Sequence, residues 1–136
     1  MDRQAAEALV HRWMKQGIEQ GRLEVFDEIL APDVIDRSGP TPSRGAASFK
    51  TRAAAVRAAF AEIEVHVDDL VVEGEAIAWR WALAGTHVGS FAGLAATGRR
   101  ATVRGVNFQR VLGGKVTEHW TMVDVAAALQ ALKGPA

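Results

Sequence analysis

Near residue 62 the apolar side chains stop recurring at helical spacing and begin to alternate, so helices and then strands must share one core. Before the switch, Ala6, Leu9, Val10, Trp13 and Met14 predict an amphipathic helix over 2–20, and Leu23 to Leu30 predicts a short second one stopped by Pro32. Residues Asp33 to Asp36 read as extended and run into a loop rich in Ser, Gly and Pro at 37–45. Phe49, Ala53, Val56 and Phe60 then mark the buried stripe of a helix over 46–61. After the switch, Ile63, Val65 and Val67 face one way, with Glu62, Glu64, His66 and Asp68 opposite. Glu73-Gly74-Glu75 predicts a hairpin turn into a strand at 76–87. A Gly/Ala-rich connection (88–99) leads to a strand at 100–112, and Gly113-Gly114 turns it back into 115–124. A closing helix follows at 125–133, with Gly134-Pro135 beyond it. Helices followed by an antiparallel meander of long strands define an α+β class, read as one domain over 1–136. Strands of this length curling around a helical layer form a cone with an internal cavity.

Composition removes several function classes. The 136 residues include no cysteine, which excludes disulfides, thiolate nucleophiles and Cys-type zinc sites. Sixteen basic and sixteen acidic side chains cancel, leaving no electrostatic footprint for nucleic acid. No apolar run approaches membrane-spanning length and the N-terminus is charged, so neither a membrane partner nor a targeting peptide is expected and the expected location is cytoplasmic. Tyrosine is absent, which removes phenol chemistry.

The segment 113–124 places His119, Glu118, Asp124 and Trp120 on one strand just before an apolar helix, a mixture that points to a polar patch inside an apolar cavity. Four stretches in register, Gly85 to Gly93, Thr97 to Arg100, Gly105 to Arg110 and Gly114 to Trp120, carry a resemblance to a known family. With Asp124 leading into Ala127 to Leu132, and Gly21-Arg22 to Asp36 fitting the early segment, the chain resembles the SnoaL-like polyketide and ester cyclase group of the NTF2-like superfamily. The resemblance implies an NTF2-like (cystatin-like) cone-shaped α+β barrel, its N-terminal helices packed on a curved, mostly antiparallel sheet. It also implies a homodimer through the outer sheet face, and a cavity that ring-closes a small-molecule substrate by acid/base chemistry with no metal or organic cofactor. The characterised cyclases look to place their acid/base aspartate where this chain has Thr121. A pocket position that is Asn or Asp in the family is Asp36 here, and a family histidine position is Asn107.

Strand parity then sorts the candidates, because side chains two apart share a face. If Thr121 faces the cavity, so do Thr117, His119 and Val123, joined from the preceding strand by Val103, Gly105, Asn107 and Gln109. His119 is the candidate acid/base, its ordinary pKa of roughly 6.5 suiting proton exchange near neutrality; the alternative is a neutral, packed histidine. Asp36 becomes a usable acid or base if an apolar cavity raises its pKa; alternatively Asp36-Arg37-Ser38-Gly39 is a type I turn, with Arg37 beside the carboxylate. Asn107 can donate to an enolate or alkoxide oxygen, or satisfy neighbouring backbone. Trp13, Phe49, Phe60, Trp79, Trp81, His87 and Thr121 complete the candidate ligand-binding set. Trp79 and Trp81 share a face that is either cavity wall or outer dimer patch, and His87 either lines the mouth or anchors the glycine-rich loop. Asp124 reads as a helix N-cap, while His66 and His11 read as solvated.

Two functions fit these parts. One is a cofactor-free acid/base enzyme on a small apolar oxygenated substrate, closing a ring by an aldol-type step or carrying out an isomerisation, a dehydration or another lyase-type step. The other is a non-catalytic small-ligand-binding or dimerisation module.

Overall fold

Asp2 starts the first helix: its carboxylate accepts the Ala5 N–H at 2.8 Å, leaving α1 (Arg3–His11) to bury Ala6, Leu9 and Val10. In this computed structural model, which describes residues 1–134, the helix does not continue as one regular coil to residue 20. It widens into a π-helical segment (Arg12–Glu19), closed where Gln20 N–H reaches back to Lys15 O at 2.9 Å. That widening keeps Trp13, Met14 and Gly17 on the buried side. Helix α2 (Glu24–Ile29) follows and runs directly into β1 (Leu30–Asp36), so the strand starts earlier than Asp33. Pro32 is tolerated inside β1 because pairing with the neighbouring strand lapses between Leu30 and Ile35, where no ladder N–H is needed. A short β2 (Ser43–Arg44) and α3 (Ala47–Ala59) complete the first half, α3 burying Phe49 and Ala53.

The meander consists of β3 (Phe60–Glu73), β4 (Ala76–His87), β5 (Arg100–Leu112) and β6 (Lys115–Val123), all antiparallel. Between β5 and β6, Gly113 and Gly114 both take positive φ (58° and 77°), the geometry a two-residue hairpin of matching twist demands. The six-stranded sheet has the order β2-β1-β6-β5-β4-β3, so it wraps the helices without closing on itself. β1 lies parallel to β6, a crossover absent from a pure meander. Helix α4 (Val125–Lys133) is capped by Asp124, which accepts the Ala127 N–H at 3.0 Å. Pro135 lies outside the described residues.

Bulges alter the parity of two strands. In β3 a register shift between Ala61 and Glu64 lets Phe60 and Val65, of opposite parity, both be buried, and a second lies between Val67 and Asp69; Val67 keeps the register of Val65 but is exposed. A further shift between Arg110 and Val111 puts Val116, rather than Thr117, into the core; the Thr117 hydroxyl bonds Arg110 O instead. One apolar cluster unites the helices with the inner sheet face, and no described helix is long and apolar enough to cross a membrane.

Candidate active site

Strand register assembles the site. The parallel pairing of β1 with β6 sets Asp36 beside His119. Across the β5–β6 ladder Gln109 opposes His119 and Asn107 opposes Thr121; across β4–β5 Trp81 opposes Gly105 and Trp79 opposes Asn107. From the helical side the π segment contributes Trp13, and α3 contributes Phe49 and Arg52. Together they line a cavity of about 120 Å³, partly open to solvent, whose wall includes Trp13, Phe49, Arg52, Trp81, Asn107, His119 and Thr121. The shared inward face of His119, Thr121 and Val123 agrees with strand parity.

His119 is 2 % exposed. Its ring stacks on Trp13 at 4.8 Å and 19°, and meets the Phe49 ring edge-on at 5.2 Å. Burial pushes its pKa down to about 3, the Asp36 charge opposing that shift and the Arg52 charge adding to it. The imidazole is therefore neutral at physiological pH. Gln109 Nε2 lies 2.9 Å from His119 Nδ1, and with the amide so placed Gln109 donates and Nδ1 accepts. In that pairing the ring proton belongs to Nε2, for which no protein partner is found among the described residues, while Gln109 Oε1 is left buried without a partner.

Asp36 is 7 % exposed and has two attachments. One oxygen accepts the Ser38 N–H at 3.0 Å, a side-chain bond two residues on in place of the type I turn expected at 36–39, and the other pairs with Arg52. Burial raises its pKa, but hydrogen bonds from the Ser38 hydroxyl and backbone, then the charges of Arg52 and His119, outweigh it and hold the carboxyl below its ordinary value. Arg37, expected beside this carboxylate, turns away to Glu118 at 2.6 Å. Its backbone N–H instead bonds His119 O at 2.8 Å, continuing the parallel ladder. Asp36 does not itself line the cavity; Arg52 stands at the wall between, its guanidinium 5.5 Å over the Phe49 ring.

Asn107 Oδ1 accepts twice, from Thr121 Oγ1 at 2.6 Å and from Trp81 Nε1 at 3.0 Å. Both acceptor positions are filled, so the amide is oriented and its Nδ2 donors are turned away from these partners, at a residue that forms part of the wall.

Trp79, Phe60 and His87 are buried but stand off the cavity wall. Trp79 packs 6.3 Å from Trp13, on the same inner face as Trp81, so the pair belongs to the helix-covered side of the sheet. Phe60 packs against His87 and Phe91, and His87 Nδ1 accepts the Thr97 backbone N–H at 3.2 Å, with Thr97 Oγ1 3.0 Å away, anchoring the 88–99 loop. His11 and His66 are exposed. Sequence reasoning gave Arg52 no part and placed Gln109 in the cavity set without a role. Arg52 was findable as the residue one helical turn beyond Phe49, on the same face.

Comparison with known proteins agrees with this architecture. Residues 8–132 match the family described as SnoaL-like polyketide cyclase. Aklanonic acid methyl ester cyclase DnrD of Streptomyces peucetius is 31% identical over 110 residues, spanning 79% of this chain and 74% of the relative. Nogalonic acid methyl ester cyclase of Streptomyces nogalater is 28% identical over 126 residues, spanning 90% of this chain and 93% of the relative. The structure of TsrD from Streptomyces laurentii superposes with a TM-score of 0.87 at 25% identity, covering 98% of each chain. Wild-type IdmH from Streptomyces antibioticus gives 0.81 at 28% identity, covering 97% of this chain and 99% of its own. With a family match running from α1 into α4, this chain belongs to the SnoaL-like polyketide cyclase family.

Proposed function

We propose that this protein is a cofactor-independent cyclase that closes a ring in a small, mostly apolar diketone or β-keto ester by intramolecular aldol addition. What supports the proposal is a buried neutral His119 and an Asn107 whose Oδ1 is doubly engaged, both at the wall of a mostly apolar cavity, which leaves His119 Nε2 and Asn107 Nδ2 to serve as the donors. Such donors hold the oxygen on which charge develops when a carbon nucleophile adds to a ketone. Asp36 is the proton acceptor: it takes the proton from the carbon between two carbonyls as Arg52 shifts to the substrate. The resulting carbanion forms the new C–C bond while the ketone π pair moves onto oxygen. The proton then passes from Asp36 to that alkoxide, so the product is an isomer of the substrate. Neutral histidine acting as an electrophile is sound chemistry where burial keeps the ring uncharged.

One observation favours a second reading, a non-catalytic ligand-binding module: the site carboxylate is already engaged by Arg52 and Ser38. Incubation with aryl β-keto methyl esters bearing a second ketone separates the two. Cyclisation yields a product of unchanged mass and altered retention and absorbance. Asp36→Asn and Asn107→Ala should each lower kcat by about a hundredfold or more. Wild-type rates in both folded variants refute the assigned roles, and binding without any isomer formed identifies the module. We also propose a cytoplasmic homodimer formed through the outer sheet face, supported by exposed Val71, Val106, Leu112 and Met122 there and testable by sedimentation.

A further inference from the structure

The indole of Trp81 limits the size of the site. It lies across its strand neighbour Gly105, where an added Cβ would come within 2.3 Å of Trp81 Cζ2 and 2.8 Å of the Met122 carbonyl oxygen. Only glycine at that position lets the ring fold so far over β5. Its Nε1 is then tied to Asn107 Oδ1, the atom that also accepts from Thr121. Steric clearance on one side and a hydrogen bond on the other hold the indole in one place. In that place it borders the cavity and also a groove of about 350 Å³ on the far side, beside Arg104 and Met122. The indole is thus a partition between the two spaces.

The remaining volume sets a limit. An engineered apolar cavity of about 150 Å³ takes one benzene, and this one is about 120 Å³. We propose that Trp81 is a specificity-determining partition that restricts the site to substrates placing no more than one ring, or its acyclic equivalent, between Trp13 and Asn107, and that excludes fused tricyclic ones. This inference rests on the cavity being the substrate site and deepens that reading by naming the substrate class.

Equilibrium binding tests it without needing turnover. The probes are 2-hydroxyacetophenone, with one ring, and 1,8-dihydroxyanthraquinone, with three, titrated into wild type, Trp81→Ala and Trp81→Phe and followed by amide NMR shifts at Asn107, His119 and Thr121. Wild type is expected to bind the one-ring probe at these residues, and to bind the anthraquinone at least tenfold more weakly than Trp81→Ala does. Trp81→Phe, which keeps a core aromatic but lacks the second ring and its N–H, should fall between them and serves if the alanine variant does not fold. Equal anthraquinone binding by wild type and the folded variants overturns the proposal, as does the absence of shifts at the cavity residues with either probe. A size preference that follows Trp81 in a protein that forms no cyclised product upholds this inference while removing the cyclase.

Discussion

The neutrality of His119 makes a quantitative prediction about acid stability. In the unfolded chain its imidazole takes up a proton near the ordinary histidine value of about 6.5, whereas in the folded protein it does so only at about 3. Between those values the unfolded state binds more protons, so stability falls as the pH falls. Each pH unit costs about 1.36 kcal/mol, so the full gap corresponds to roughly 5 kcal/mol, with about 2 kcal/mol lost between about pH 6.5 and pH 4.5. Asp36 acts in a separate window. Its folded pKa lies below the ordinary 3.8, so its contribution is present above that value and is lost as the pH falls through the lower folded one. Urea unfolding followed by circular dichroism across the His119 window isolates the histidine term. The comparison is His119→Phe, which keeps a ring against Trp13 and cannot titrate. The wild-type midpoint should fall steeply and the variant's much less. A wild-type midpoint that is flat over that interval, or an equal slope in both proteins, refutes the assignment of a buried neutral imidazole.

Other expectations are simpler. Asp124→Ala removes the carboxylate that accepts the Ala127 N–H and should cost about 1 kcal/mol in urea or thermal unfolding, with cavity binding unchanged. Gly17→Ala drives a Cβ to 2.8 Å from the Phe26 ring and should cost about 1–3 kcal/mol by overpacking, read in the same unfolding assay. Thr121→Asp puts a carboxylate where a hydroxyl now donates to Asn107, so the amide must turn its Nδ2 toward the new group and Trp81 loses its acceptor. Turning Nδ2 away from the substrate oxygen removes a donor that the proposed step uses, so kcat should fall about a hundredfold; an undiminished kcat in the folded variant refutes the role given to Asn107.

Much of the fold was legible because its signals are local. The strands at 76–87 and 100–112 and the helix at 125–133 agree with the observed β4, β5 and α4, since alternation, Gly113-Gly114 and the Asp124 cap each act within a few residues. Bulges were not legible. Nothing in the run from Ala61 to Val67 announces that Glu62 takes φ 52° and that the register shifts before Glu64, which lets Phe60 and Val65 both face the core. A β-bulge changes facing without changing composition, and its cost and gain lie in neighbouring strands. The π-helical widening at Arg12–Glu19 is equally silent, because Trp13 and Met14 satisfy either helical register.

The site divides along the same line. Parity placed His119, Asn107 and Thr121 on one inner face because the β5–β6 hairpin is local. The parallel pairing of β1 with β6 and the approach of α3 are long-range, and they decide the electrostatics. Hydrogen bonds from Ser38 and then the Arg52 charge hold Asp36 ionised, and the enclosure by Trp13 and Phe49 strips the water that an imidazolium needs. A chain with threonine at position 121 therefore has not simply lost a catalytic carboxylate. Thr121 spends its proton on Asn107 Oδ1, Trp81 fills the second acceptor position there, and Gln109 pairs with His119 Nδ1. The consequence is a cavity wall that donates hydrogen bonds and accepts almost none. Such a wall stabilises an enolate or alkoxide oxygen far better than it removes a proton, so the substrates it suits are those whose carbon acid is already activated by two carbonyls.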